Sequence, residues 1–176
     1  IRSFTSSIVS SLGNFISEDG VRVAAVSYSN AAKVEFDFAA FGYGGVAIAS
    51  ALGRLTPTAG AGTLAHTGYE KVVSDLLVVG SGNGFRHYSA PVIIVTISDG
   101  ETRVPQSRPN ALVESLDAAA LKHPNVIKLA FDVGNNPDRS ILNLMASGRS
   151  ENVHSLKCDQ GGAVTEAGIQ LVEEQM

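Results

Sequence analysis

The chain has 176 residues, 44% of them hydrophobic and 17% charged, which is the composition of one folded domain and not of a disordered segment. A total of 13 basic and 17 acidic residues gives a net charge of −4 without a basic patch, so nucleic acid is not an expected partner. The longest apolar runs, such as 92–95, are far shorter than the roughly 18 residues of a membrane helix, so membrane insertion is not expected either.

The first half of the chain predicts a helix, a strand hairpin and two further helices. Apolar residues spaced three and four apart indicate a helix over residues 1–17. Val21–Tyr28 is short, apolar and rich in β-branched residues, as in a buried strand. Lys33–Phe38 alternates apolar with charged residues, as in an edge strand paired with the one before. Helices are then predicted over Val46–Leu55 and Leu64–Val79.

In the second half, strands alternate with helices. Pro91–Ile97 is the most apolar strand and is expected at the centre of the sheet. The elements that follow are a helix over Pro109–Leu121, a strand over Asn125–Val133, a helix capped by Asp138 and ended by Gly148, a strand over Asn152–Lys157 and a helix over Ala163–Gln175. This order predicts one α/β domain over residues 1–176. We expect a doubly wound, mostly parallel, Rossmann-like sheet of five strands, with one antiparallel edge strand and helices on both faces.

Enzyme motifs are missing from the sequence. The nucleophile elbow G-x-S-x-G, the zinc-protease motif H-E-x-x-H and the phosphate-binding P-loop are all absent. Gly80, Gly82 and Gly84 are spaced like a dinucleotide-binding loop, but they follow a helix and precede a strand, the reverse of what that loop requires. A nucleotide-binding Rossmann-type enzyme is therefore a weak hypothesis, and we expect no catalysis.

Oxygen-bearing side chains occur in two loops of the predicted sheet. Ser98-Asp99-Gly100-Glu101 follows the most apolar strand, and the loop 60–62 leads to Thr63 at the start of a helix. Both loops are expected at the carboxyl edge of the strands, where α/β sheets bind ligands. A Thr hydroxyl and an Asp carboxylate are hard donors that suit Mg²⁺ or Ca²⁺. Taken alone, these residues favour simpler interpretations, in which Thr63 caps its helix and Asp99-Gly100 forms an ordinary turn.

Four segments make the chain resemble the von Willebrand factor type A domain, the integrin I-like adhesion module. They are VRVAAVSYSNAAKVEFDF (21–38), GAGTLAHTGYEKVV (60–73), VIIVTISDGE (92–101) and VIKLAFDVGN (126–135). The resemblance extends over nearly the whole chain, and the TISDG and FDVGN segments are its most specific parts. The first segment is similar to the collagen, matrilin and integrin branch, which is extracellular.

The resemblance implies a metal-ion-dependent adhesion site, in which three loops at the top of the sheet hold one divalent cation. It assigns Thr63 and Asp99 as cation ligands, with Gly62, Gly100 and Glu101 beside them as partner-contacting residues. The implied cofactor is Mg²⁺, with Ca²⁺ or Mn²⁺ as substitutes, and a carboxylate of the partner completes its coordination. The implied role is a secreted, non-catalytic module that binds a matrix or cell-surface protein, collagen among them.

The sequence departs from this family at the first loop. It contains no Asp-x-Ser-x-Ser motif, and the first strand with that loop is expected immediately before Ile1. Two protein ligands are too few for a good Mg²⁺ site, so binding is expected only when the first-loop ligands are supplied. Three explanations stay open: the sequence is part of a longer protein, a separate peptide donates the strand, or the domain is degenerate and metal-free.

Further positions have two interpretations each. Asp132 stands where the family usually has a small or apolar residue, and it serves either as a polar contact at the sheet edge or as an extra charge near the site. Cys158, the only cysteine, is either a free thiol or, as in extracellular relatives, half of a disulfide to a segment outside the sequence.

A metal-free structural module of a matrix or assembly is the main alternative to the cation-dependent adhesion module. An oligomer or a multidomain host is compatible with both of these functions.

Overall fold

The computed structural model describes residues 2–56, 63–86, 90–98, 100–133 and 137–155. Its helices are α1 (Arg2–Leu12), α2 (Gly45–Arg54), α3 (Ala65–Lys71), α4 (Ala111–Lys122) and α5 (Arg139–Met145). Its strands are β1 (Ala25–Tyr28), β2 (Ala32–Phe36), β3 (Ile93–Ser98), β4 (Ile127–Asp132) and β5 (Val153–Ser155). The order of these elements is the predicted one. The predicted helix over residues 163–175 and Cys158 lie outside the described residues.

The strands form two sheets instead of the single five-stranded sheet predicted from the sequence. β1 and β2 pair antiparallel, as predicted, with Val26 opposite Val34. β3, β4 and β5 form a parallel sheet in that order, with Val95 opposite Leu129 in its first pair. The prediction that β3 is central is therefore wrong for the described sheet, in which β3 is an edge strand and β4 lies in the middle.

β3 has the sequence of a central strand but is less buried than β4. Ile93, Val95 and Ile97 are only partly buried, whereas Leu129 and Phe131 of β4 are at most 1% exposed. β-Branched apolar residues on both faces are typical of a strand with neighbours on both sides. Within the described ranges, β3 has a neighbouring strand on one side, and the same holds for β1. Their sequences thus predict a neighbour that the described part of the chain does not provide.

The same two helix layers cover both sheets. One core cluster joins α1 and α2 with Ala25 of β1, Val95 of β3 and Phe131 of β4. A second cluster joins α3, α4 and α5 with Tyr28 of β1 and Ile94 of β3. The predicted α/β arrangement with helices on both faces is therefore confirmed. No helix among the described residues is both long enough and apolar enough to span a membrane.

Helix α1 packs on the sheet through the face that the sequence predicted, except at its end. Phe4, Ile8 and Leu12 are buried, and the Phe4 ring lies 4.9 Å from the Phe131 ring, measured between centroids. Phe15, expected on the same face, is 71% exposed. The α-helix ends at Leu12 and a 3₁₀ turn follows, which changes the helical phase and turns Phe15 away from the core.

β1 and α3 are among the elements that are shorter than their apolar patterns. β1 begins at Ala25 and not at Val21, because Val21 forms backbone hydrogen bonds with Phe15 and Ser17 at the end of α1. The helix predicted to reach Val79 ends after a π-helical turn over Val72–Leu76. The side-chain nitrogen Nδ2 of Asn83 donates to the backbone carbonyls of Asp75 and Leu76, at 2.7 and 2.9 Å. It thus satisfies carbonyl groups at the end of the helix.

A buried hydrogen bond joins α3 to β3 and gives the first prediction. The hydroxyl oxygens of Tyr69 and Thr96 are 2.6 Å apart, and burial raises the pKa of the Tyr69 phenol. We expect Tyr69→Phe and Thr96→Val each to lower the free energy of unfolding by about 1–2 kcal/mol, because each change leaves a buried hydroxyl without its partner. The double variant should lose less than the sum of the two, as measured by urea unfolding. Strictly additive losses would show that the two hydroxyls do not interact.

Candidate functional site

A pocket lies at the edge of the domain where β1 and β3 end. Its volume is about 320 Å³, and its lining residues are Thr63, Gly100, Glu101, Thr102, Arg103 and Asp138. They belong to three segments: the residue pair before α3, the loop after β3 and the start of α5. The expectation that loops at the carboxyl edge of the strands converge is met by these segments.

Both β1 and β3 point toward this edge. The Leu64 N–H donates to the carbonyl of Ser29, just after β1, at 2.7 Å. The Arg103 N–H, in the loop after β3, donates to the carbonyl of Thr63 at 2.8 Å. Since the carboxyl ends of both strands adjoin residues 63–64, the two strands run in the same direction.

The pocket contains three of the five predicted site residues. Thr63, Gly100 and Glu101 line it. Gly62 and Asp99 lie outside the described residues, each directly next in sequence to a lining residue. The shared cation of Thr63 and Asp99 therefore stays a prediction.

Thr63 does not cap the helix that follows it. Leu64 occupies the N-cap position of α3, and its side chain provides no cap. The Ala65 N–H donates instead to the hydroxyl of Thr102, at 3.2 Å. The alternative interpretation of Thr63 as a helix cap is therefore wrong. Thr63 instead lines the pocket.

Gly100 allows the loop after β3 to approach α5. Its N–H donates to the Ser98 hydroxyl at 3.1 Å, and its φ of +77° lies in the left-handed region that favours glycine. A Cβ at this position would lie 2.8 Å from the nitrogen and 2.9 Å from the oxygen of the Asp138 backbone. Gly100 thus joins two walls of the pocket, while its predicted contact with a partner stays a prediction.

Asp138 caps α5, as predicted, and also lines the pocket. Its Oδ1 accepts hydrogen bonds from the Ser140 hydroxyl at 2.6 Å and from the backbone N–H groups of Ser140 and Ile141 at 2.9 and 3.3 Å. The Ser140 hydroxyl and these backbone groups lower the pKa of the Asp138 carboxyl. The sequence predicts the cap but not the position of Asp138 in the pocket. The signal was present, because Asp138 follows the loop after β4 at the same edge of the sheet.

Asp132 is a polar contact of the sheet. It is 3% exposed, and it lies in register with Ser98 of β3 and Ser155 of β5. The Ser155 hydroxyl donates to Asp132 Oδ2 at 3.1 Å. Asp132 is not among the residues that line the pocket. Of the two interpretations of Asp132, the polar contact agrees with the structure, and it lies at the carboxyl end of β4.

The pocket is chemically suited to a hard cation but is an incomplete cage. Thr63 supplies a hydroxyl, and Glu101 and Asp138 supply carboxylates, all of which are hard donors. In the ranges that the structure describes, no group of three or more His, Cys, Asp or Glu side chains is placed to hold a metal ion. The described residues therefore fit part of a cation site but do not complete one.

Comparison with known proteins identifies the family. The family model of the von Willebrand factor type A domain matches residues 1–168. Among curated proteins, no sequence matches the chain.

Solved structures of proximal thread matrix protein 1 (PTMP1) from the mussel byssus share the fold. Crystal form 2 of PTMP1 is 17% identical, with a TM-score of 0.72 over 99% of this chain and 40% of that chain. A PTMP1 structure with a zinc occupied MIDAS motif is 15% identical, with the same TM-score and coverage. This chain thus spans 40% of the length of those structures. Because the family model matches nearly all of the sequence and these neighbours share its fold, the chain belongs to the von Willebrand factor type A domain family.

Proposed function

We propose that this domain is a non-catalytic, extracellular protein-binding module of the adhesion or matrix type. In this proposal, its pocket holds a divalent cation, and a carboxylate of the partner protein binds the same cation. The observation that carries the proposal is the pocket itself, in which Thr63 is not used as a helix cap and lies beside the loop that contains Asp99. Membership of the von Willebrand factor A family supports a protein-binding role.

Thr63 and Asp99 are the proposed ligands of the cation. Thr63 lines the pocket, and Asp99 immediately precedes Gly100, which lines it as well. Hydroxyl and carboxylate oxygens favour Mg²⁺, with Ca²⁺ or Mn²⁺ as substitutes. The zinc in a PTMP1 structure supports divalent-cation binding by this fold without fixing the ion for this chain. When bound, the cation would supply a positive charge that attracts an acidic partner group.

The remaining ligands would come from a strand between β1 and β3. These two strands run in the same direction and share both helix layers, and in the described part of the chain each has a strand on one side only. A parallel strand inserted between them would end at the pocket, and the loop after it would reach Thr63. We propose that this strand carries the Asp-x-Ser-x-Ser ligands, supplied either by a longer polypeptide or by a separate one.

A metal-free matrix or assembly module is the second candidate. Two observations favour it: the described residues hold no complete metal cage, and the exposed Arg103 lines the pocket. A guanidinium group can bind a carboxylate in bidentate fashion without any metal. In this version the same pocket recognises the same acidic group through Arg103.

Collagen binding by the full-length native protein distinguishes the two candidates. We expect the protein to bind immobilised triple-helical collagen in Mg²⁺, to lose binding in EDTA and to regain it when Mg²⁺ is restored. Equal binding in EDTA would support the metal-free module. Loss of binding on Arg103→Ala in the presence of EDTA would then identify the guanidinium as the contact. An absence of binding in both buffers would eliminate collagen as the partner.

A further inference from the structure

Thr102 connects two walls of the pocket. Its hydroxyl donates a hydrogen bond to the Thr63 carbonyl at 2.8 Å and accepts one from the Ala65 N–H at 3.2 Å. The next residue, Arg103, donates its backbone N–H to the same Thr63 carbonyl at 2.8 Å. All three bonds link the loop after β3 with residues 63–65, although the two segments are far apart in the sequence.

One hydroxyl group makes both of the side-chain bonds. A hydroxyl is a donor and an acceptor in the same atom, so serine can replace Thr102 in this role, whereas valine, which has the same shape, can form neither bond. The Ala65 N–H is one of the groups at a helix N-terminus that have no partner inside the helix. Thr102 thus fixes the backbone of Thr63 and the start of α3 with one atom.

We propose that Thr102 is a positioning residue of the pocket. It holds the backbone of Thr63 at a fixed distance from the loop after β3, and it thereby sets the position of Thr63 as a ligand of the proposed cation. This inference rests on the proposed cation site. Its physical basis is that Mg²⁺ demands near-ideal geometry, which makes affinity sensitive to the placement of each ligand. Residues that orient ligands typically change metal affinity by about 10–100-fold when they are mutated.

The test is a titration of the full-length native protein with Mn²⁺, followed by electron paramagnetic resonance. We expect Thr102→Val to weaken Mn²⁺ binding by about tenfold or more and Thr102→Ser to stay close to the wild-type affinity. Thr67→Val is the matched control. The Thr67 hydroxyl donates to the Leu64 carbonyl at 2.7 Å, also at the start of α3, but Thr67 does not line the pocket. This control should leave the Mn²⁺ affinity unchanged.

Amide hydrogen exchange in the metal-free protein gives a second readout. Thr102→Val should speed exchange at the Ala65 and Arg103 amides, and Thr102→Ser should not. A wild-type Mn²⁺ affinity in Thr102→Val, or an equal loss in Thr67→Val, would overturn the positioning role. A wild-type protein that binds no Mn²⁺ would refute the proposed cation site instead. In that case amide hydrogen exchange alone would test whether Thr102 connects the loop after β3 with residues 63–65. Unchanged exchange rates in Thr102→Val would overturn that connection.

Discussion

Replacing Asp99 with alanine should abolish divalent-cation binding and leave the domain folded. Asp99 is the charged member of the proposed pair of ligands from this chain, and a hard cation depends on anionic oxygen ligands for its affinity. The free energy of unfolding should change by no more than about 0.5 kcal/mol, as is usual for surface substitutions. Calorimetric titration with Mg²⁺ measures the loss of binding, and thermal unfolding checks the fold.

The matched control for this change is Asp19→Ala. Asp19 is an exposed aspartate in a loop, and it does not line the pocket. Cation binding should survive in Asp19→Ala. Retention of wild-type Mg²⁺ affinity by Asp99→Ala would contradict the assignment of this residue as a ligand.

Phe131→Ala should cause a large loss of stability. The Phe131 side chain is fully buried in β4, and its ring packs against those of Phe4 at 4.9 Å and His154 at 5.4 Å. Truncation of a buried phenylalanine removes its transfer free energy and leaves a cavity, which typically costs about 3–5 kcal/mol. Because a domain is stable by only about 5–15 kcal/mol, this variant should unfold at a markedly lower urea concentration.

Phe15→Ala separates the effect of burial from that of residue type. Phe15 is 71% exposed, so its truncation should change the free energy of unfolding by at most about 0.5 kcal/mol. A loss as large as that of Phe131→Ala would mean that Phe15 is covered in the native protein. A small loss in both variants would contradict the packing of α1 on β4.

Local sequence patterns predicted most of the elements, because the spacing of apolar residues in a helix or strand depends on which of its faces is buried. The spacing of Phe4, Ile8 and Leu12 indicated the buried face of α1, and the alternation in 33–38 indicated the hairpin strand β2. Boundaries were less predictable because they depend on contacts between distant residues. The side chain of Asn83 terminates the helix that precedes it, and nothing in the apolar pattern of 64–79 indicates this.

The apolar pattern of β3 indicates a strand packed on both faces, which the structure confirms, and a central position in the sheet, which is wrong for the described sheet. A run of β-branched residues reports the neighbours that a strand requires, but it does not identify which segment supplies them. In the described residues β4 covers one side of β3. In the proposed function, a second neighbour would be the strand between β1 and β3.

The candidate site was predictable at its edge but not in its detail. Topology places loops at the carboxyl ends of parallel strands, and this rule was enough to bring Thr63 together with Gly100 and Glu101. It does not reveal that Thr102 reaches across to the Thr63 carbonyl, or that Gly100 packs on the backbone of Asp138. Such contacts depend on the relative positions of segments distant in sequence, which a single sequence does not specify.

The most direct measurement is a crystal structure of the full-length native protein grown with Mn²⁺, in which anomalous scattering locates the ion. The proposed function predicts one strong peak in the pocket, with the Thr63 hydroxyl and an Asp99 oxygen each binding the ion either directly or through one bound water. An Mn²⁺ peak away from the pocket, or Thr63 and Asp99 oxygens too far apart to share an ion, would contradict it.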